Sequence, residues 1–101
     1  MFITEHAYER MKERNGLKKR SVRRIAERAY TSGLDIEDLN GQLQAWVRTK
    51  CACDKTYKVY GDKLYVFGPG TFSQGEGLIT VLQIPGRYLS RYGRFLEARH
   101  G

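Results

Sequence analysis

The sequence predicts an α+β domain, with two to three N-terminal helices packed on a three-stranded antiparallel sheet and a short C-terminal helix. Two observations carry this. Apolar residues recur at helical spacing as far as residue 47, and from residue 56 the period changes to two, in segments rich in β-branched and aromatic side chains. The 101 residues suit a single domain, 1–101, with one modest core. No internal repeat, low-complexity stretch or linker divides them.

The first helix is predicted over 4–15. The Thr4 hydroxyl can cap it, Glu5 sits where a carboxylate suits the helix dipole, and Asn15-Gly16 offers a left-handed exit. Ala7 and Met11, with Leu17 beyond the turn, supply a narrow apolar stripe. Beside that stripe His6, Arg10 and Arg14 follow at steps of four, each step drifting about 40° around the helix, so an imidazole and two guanidiniums share one row. A titratable group beside two permanent cations suits gripping a phosphodiester, or cleaving one. The bland alternative is a solvated face.

The second helix is the best defined, since Val22, Ile25, Ala26, Ala29 and Tyr30 follow the i, i+3, i+4, i+7, i+8 pattern and Gly33 ends it. Its other face holds Arg20, Arg23, Arg24, Glu27 and Arg28. Lys18, Lys19 and Arg20 crowd the N-terminal end, where cations oppose the macrodipole and cost stability unless an anion arrives. A phosphate-tracking surface and a solvated charged face both fit.

Asp35 can cap a third helix whose apolar row is Ile36, Leu39, Leu43, Trp46 and Val47. Gly41 weakens it by roughly 1 kcal/mol relative to alanine, which predicts a bend or fraying there. Trp46, on the apolar row, reads as core ahead of a base-stacking platform. Beyond it, strands are predicted over Thr56–Tyr60 and 63–67, joined by Gly61-Asp62 as a two-residue hairpin turn. A third, over 78–84, is a nearly continuous apolar run closed by Pro85, the pattern of a central strand. The glycine-rich segment 68–77 is read as a loop, either a plain connection or a flap over a site. In the tail, Arg87, Arg91 and Arg94 recur at helical spacing beside Tyr88, Tyr92 and Phe95. Such alternation suits single-stranded RNA, and equally a helix docking its tyrosines on the sheet.

Eighteen Lys and Arg against eleven Asp and Glu give a net charge of +7 and a pI near 9.6, which puts a polyanion, nucleic acid first, at the head of the candidate partners. The excess is uneven: +5 over 1–33, zero over 34–66 and +2 over 67–101. No apolar run reaches membrane-spanning length and the start lacks a signal-peptide core, so a cytoplasmic protein with no membrane partner is expected. Cys51 and Cys53 are one residue apart, unsuited to an ordinary disulfide. A zinc site there would need His6 and His100 as further ligands, and two ordinary thiols are the simpler reading. No metal or cofactor is predicted. No phosphate-binding Gly-Lys-Ser/Thr loop, His-Glu metal motif or Ser-His-Asp grouping stands at characteristic spacing.

The order of elements, together with Ile3-Thr-x-His-Ala-x-x-Arg-x-x-x-Arg14, Tyr60-Gly-Asp-x-x-Tyr-Val-Phe67 and Leu78-Ile-Thr-Val81, resembles small bacterial and phage proteins that begin with a His-Ala-x-x-Arg-x-x-x-Arg helix. More distantly it resembles the RelE-like, BECR-fold ribonuclease toxins. The resemblance covers about 3–30 and 57–85. It implies a domain that cuts RNA without a metal, with His6 as general base or acid, Arg10 and Arg14 clamping the transition state, and Tyr65 and Thr80 contributing from the sheet. It also implies an antitoxin as protein partner. Two functions are thus expected: an RNA-directed protein and possible endoribonuclease, binding through Lys18, Lys19, Arg20, Arg23, Arg24, Arg87, Arg91 and Arg94, or a phage or mobile-element protein that inhibits a host defence system, such as a CRISPR nuclease, by occupying a protein surface.

Overall fold

A computed structural model of the chain describes residues 2–15, 18–39, 41–51, 55–69 and 76–89, with the backbone alone for 14 and 15. The elements are β1 (Phe2–Ile3), α1 (Glu5–Asn15), α2 (Lys19–Ser32), a 3-10 turn (Ile36–Asp38), α3 (Gly41–Arg48), β2 (Thr56–Tyr60), β3 (Lys63–Pro69), β4 (Glu76–Gln83) and α4 (Gly86–Leu89). The α+β class is as expected. The sheet differs, having four strands in the order β1-β4-β3-β2, mixed in direction, where three antiparallel strands were predicted. The added strand is β1, whose Phe2 and Ile3 pair in parallel with Gly77 and Leu78. Two residues carry no periodicity, so only the partner reveals them.

A side chain on Gly77 would run into the backbone oxygen and ring of Phe2, so that close approach requires glycine. β4 takes an inner place, as its apolar run suggested. It is also bulged: Val66 of β3 pairs with Thr80 and Phe67 with Leu78, leaving Ile79 as the extra residue. Pairing continues to Gly68↔Gly77 and Pro69↔Glu76, so the strands reach into the segment read as a ten-residue loop, and 70–75 lie outside the described residues.

Both faces of the sheet are covered, and alternation along β3 feeds two cores. Tyr65 and Phe67 join Leu78, Val81, Ala7, Met11, Val22, Ala26 and Ala29 beneath α1 and α2. Leu64 and Val66 join Tyr57, Val59, Leu34, Leu39, Leu43, Val47 and Ile84 beneath the 3-10 turn and α3, with Tyr88 and Leu89 of α4 packed against them. Of the apolar stripes predicted from spacing, Ala7 and Met11 of α1 and Val22, Ala26 and Ala29 of α2 are buried, Ile25 and Tyr30 are half-buried against them, and Leu17 lies outside the described residues. Tyr30 closes the first core with an edge-on contact to Phe67, ring centroids 5.0 Å apart.

The predicted third helix is two pieces. Asp35 does begin a helical segment, its N–H donating to Asp38 Oδ2 at 3.0 Å, but the segment is the 3-10 turn. Gly41, at φ 61°, turns the chain at the first position of α3. The Ile36 carbonyl accepts the Leu39 N–H at 3.0 Å, closing the 3-10 turn, and the Gln44 amide reaches back from α3 to donate to the Ile36 and Leu39 carbonyls at 3.0 and 2.9 Å. Trp46 also departs from the core reading: it is half-buried, with one side packed against the second core. No helix among the described residues is long and apolar enough to cross a membrane.

Candidate nucleic-acid interface

α2 presents its charges as the sequence pattern demanded. Val22, Ala26 and Ala29 are buried, and Lys18, Lys19, Arg20, Arg23, Arg24 and Arg28 are all exposed. Arg20, Arg24 and Arg28 are four residues apart, rising about 6 Å per step, the order of the separation between neighbouring phosphates on one strand. Like charges at this spacing repel by a few tenths of a kcal/mol per pair. Glu27 is the one carboxylate on the helix. The N-terminal turn adds to the excess, since it holds no acidic residue and Lys18 makes no side-chain cap. An anion along this face relieves both costs.

Lys19 links α2 to α1. Its ammonium lies 5.2 Å from the centre of the Tyr8 ring and 3.9 Å from Glu5 Oε1. With both ion-pair side chains about three-quarters exposed, that pair adds little. On α1, His6 is exposed and Arg10 half-buried, while the Arg14 side chain lies outside the described residues.

The two strand residues assigned to the row go elsewhere. Tyr65 is buried in the core under α1 and α2, its ring 6.3 Å from that of Tyr60 at 70°. Burial pushes its phenol well above the ordinary range, and the neighbouring charges of Asp62 and Tyr60 push the same way. Thr80 pairs with Val66, whose side chain faces the opposite core, so Thr80 and Tyr65 lie on opposite faces of the sheet. One pocket cannot take both. Of the tail arginines, Arg87 is exposed, with its guanidinium 4.8 Å from the Tyr88 ring centre, and Arg91 and Arg94 lie outside the described residues.

Spacing gave no sign of the polar cluster at the β2–β3 turn. Lys63 is 7% exposed, and its ammonium donates to Asp62 Oδ1 at 2.9 Å. Gln83, opposite Lys63 in the sheet, donates to Asp62 Oδ2 at 3.1 Å and to the Asp62 carbonyl at 3.0 Å. Burial alone would raise the Asp62 carboxyl, but the bonds from Lys63 and Gln83 outweigh it and hold the group below its ordinary value. The detectable signal was a lysine at an inward position of a strand.

A shallow depression of about 330 Å³ lies elsewhere, lined by Asp35, Ile36, Glu37, Lys55, Thr56 and Tyr57. Beside it Lys58 Nζ meets Asp35 Oδ1 at 2.6 Å. None of the predicted site residues lines it. Cys51 is a free thiol, raised by partial burial against the lowering effect of Arg48, and it donates to the Val47 carbonyl at 3.3 Å. Cys53 lies outside the described residues, among which no three His, Cys, Asp or Glu side chains gather to hold a metal.

No family model matches the chain, no curated protein matches it, and no solved structure matches it.

Proposed function

We propose that the protein binds nucleic acid, RNA before DNA, by laying the α2 face along the phosphate backbone. The observation that carries this is the exposed row of Arg20, Arg24 and Arg28 with Arg23 beside it, interrupted by Glu27 alone. Guanidiniums present paired donors to phosphate oxygens, and the bound polymer displaces counterions. Lys18 and Lys19 extend the row to the start of the helix. Contacts of this kind to phosphate oxygens fix the position of the polymer and carry no sequence information themselves.

The finer proposal of metal-independent RNA cleavage rests on His6, Arg10 and Arg14. Tyr65 and Thr80 are left out of it, because a buried phenol and a hydroxyl on the other face of the sheet cannot converge with that row. The competing proposal, a phage or mobile-element inhibitor of host defence, places the same cationic face on an acidic protein surface.

Fluorescence anisotropy with labelled RNA over a salt series tests the binding proposal. Contact with three to four phosphates gives a slope of log affinity on log salt of about −2 to −3. Replacing Arg20, Arg24 and Arg28 together with Gln lowers the affinity at least tenfold and flattens the slope by about 2. Binding that ignores both salt and the triple substitution overturns the proposal. A partner retained from nuclease-treated host lysate, with no RNA bound, supports the inhibitor instead.

A further inference from the structure

The opposite side of the molecule carries a second arrangement, unrelated to the α2 row. Trp46 of α3 and Tyr88 of α4 meet with ring centroids 6.2 Å apart and planes tilted by 38°. Both are half-buried and pack against the second core, so each keeps part of its side chain accessible to solvent. Each ring has its own cation: Lys50 Nζ lies 5.4 Å from the Trp46 centroid, and Arg87 Cζ lies 4.8 Å from that of Tyr88, with Arg87 donating to the Tyr88 hydroxyl at 3.0 Å. Lys50 and Arg87 are exposed. The chain has no acidic residue between Asp38 and Asp54, nor between Glu76 and Glu97, so neither α3 nor α4 brings a carboxylate to the pair.

Aromatic planes at a surface, flanked by cations, have the composition that stacks an unpaired base while its phosphates are held at the sides. We propose that Trp46 and Tyr88 form a stacking platform for an unpaired base of single-stranded nucleic acid, with Lys50 and Arg87 on the adjoining phosphates. The proposal takes the class of polymer from the reading above, but its residues lie across the sheet from α2. When a base arrives, the two cations move from the rings to the phosphates. A duplex keeps its bases stacked inside and offers this site nothing but backbone.

Trp46 is the chain's one tryptophan, so its emission reports on this site alone. The full chain is titrated with a short single-stranded oligouridylate, the same strand annealed to its complement, and heparin, a polyanion without bases, while anisotropy records total binding. The single strand is expected to quench the emission saturably, and the duplex and heparin to leave it unchanged. Tyr88→Ala lowers single-strand affinity about tenfold and Tyr88→Phe keeps it, because the ring and not the hydroxyl does the stacking. Lys50→Gln, at an exposed position, weakens single-strand binding without touching the fold. Single-strand binding without quenching, or equal quenching by heparin, overturns the platform and leaves the α2 reading standing. If anisotropy shows no binding of any of the three, both fall.

Discussion

Thr4 and Ile79, 75 positions apart, are joined by a hydrogen bond of 2.8 Å from the threonine hydroxyl to the isoleucine carbonyl. The same hydroxyl accepts the Ala7 N–H at 3.1 Å, capping α1, and the Thr4 N–H donates to the Leu78 carbonyl at 3.1 Å. One side chain thus fixes the start of α1 and ties it to the bulge of β4. Thr4→Val keeps the shape and loses the hydroxyl. It is expected to cost about 1–2 kcal/mol, and Thr4→Ser well under half of that. Urea unfolding measures this, and an unchanged m-value assigns the loss to the native state.

The hydrogen bonds from Lys63 and Gln83 bear on acid stability. Because the folded Asp62 carboxyl titrates below its ordinary value, its contribution is present above the unfolded pKa, near pH 4, and is lost as pH falls through the lower folded one. Asp62→Asn should therefore cost about 1 kcal/mol at neutral pH, a modest figure because the Asp62 side chain is 56% exposed. Melting curves of the variant and the parent should converge as the pH drops below about 3. A constant gap across that range would assign the loss to packing.

Tyr65 bears on alkaline stability. Its folded pKa lies above the unfolded one, so its contribution is complete below about pH 10 and is lost as pH rises toward the folded value. Tyr65→Phe should flatten the decline in melting temperature between about pH 9 and 11 relative to the parent. Absorbance titration of the parent should show one tyrosine that ionises only with unfolding.

For the cleavage proposal, His6→Ala and Arg10→Ala give different outcomes. His6→Ala should abolish any metal-independent cutting of RNA while changing its affinity less than twofold, because the grip on the phosphates rests on the arginines and one exposed imidazole adds little to it. Arg10→Ala should reduce binding as well, by about two- to fivefold. Gel assays with chelator present measure cutting, and anisotropy measures binding. An intact cutting rate in His6→Ala removes the histidine from the proposal.

The legible parts of the fold were those with a repeating pattern. Five apolar residues of α2 in strict helical register fixed both the helix and its cationic face, and Gly61-Asp62 between two alternating segments fixed the hairpin. β1 was hidden because two residues carry no pattern. The break before α3 was half legible: Gly41 announced a bend, while a left-handed glycine with Gln44 reaching back to the Ile36 and Leu39 carbonyls is a tertiary arrangement. Among the proposed site residues, the positions of Lys18 to Arg28 followed from helix phase. The separation of Tyr65 from Thr80 did not, since it depends on which strand residues stand opposite each other across the bulge.

Leu34, leaving α2, exchanges both backbone hydrogen bonds with Val59, at 2.8 and 2.9 Å, on the outer side of β2. β2 ends the sheet, and an outermost strand is where a second chain would add itself and begin a growing stack. With the donor and acceptor of Val59 already taken midway along the strand, an incoming segment must first strip Leu34 from the core, where it is 1% exposed. The chain thereby guards itself against templated aggregation with its own backbone, and that protection lasts only while the end of α2 stays docked.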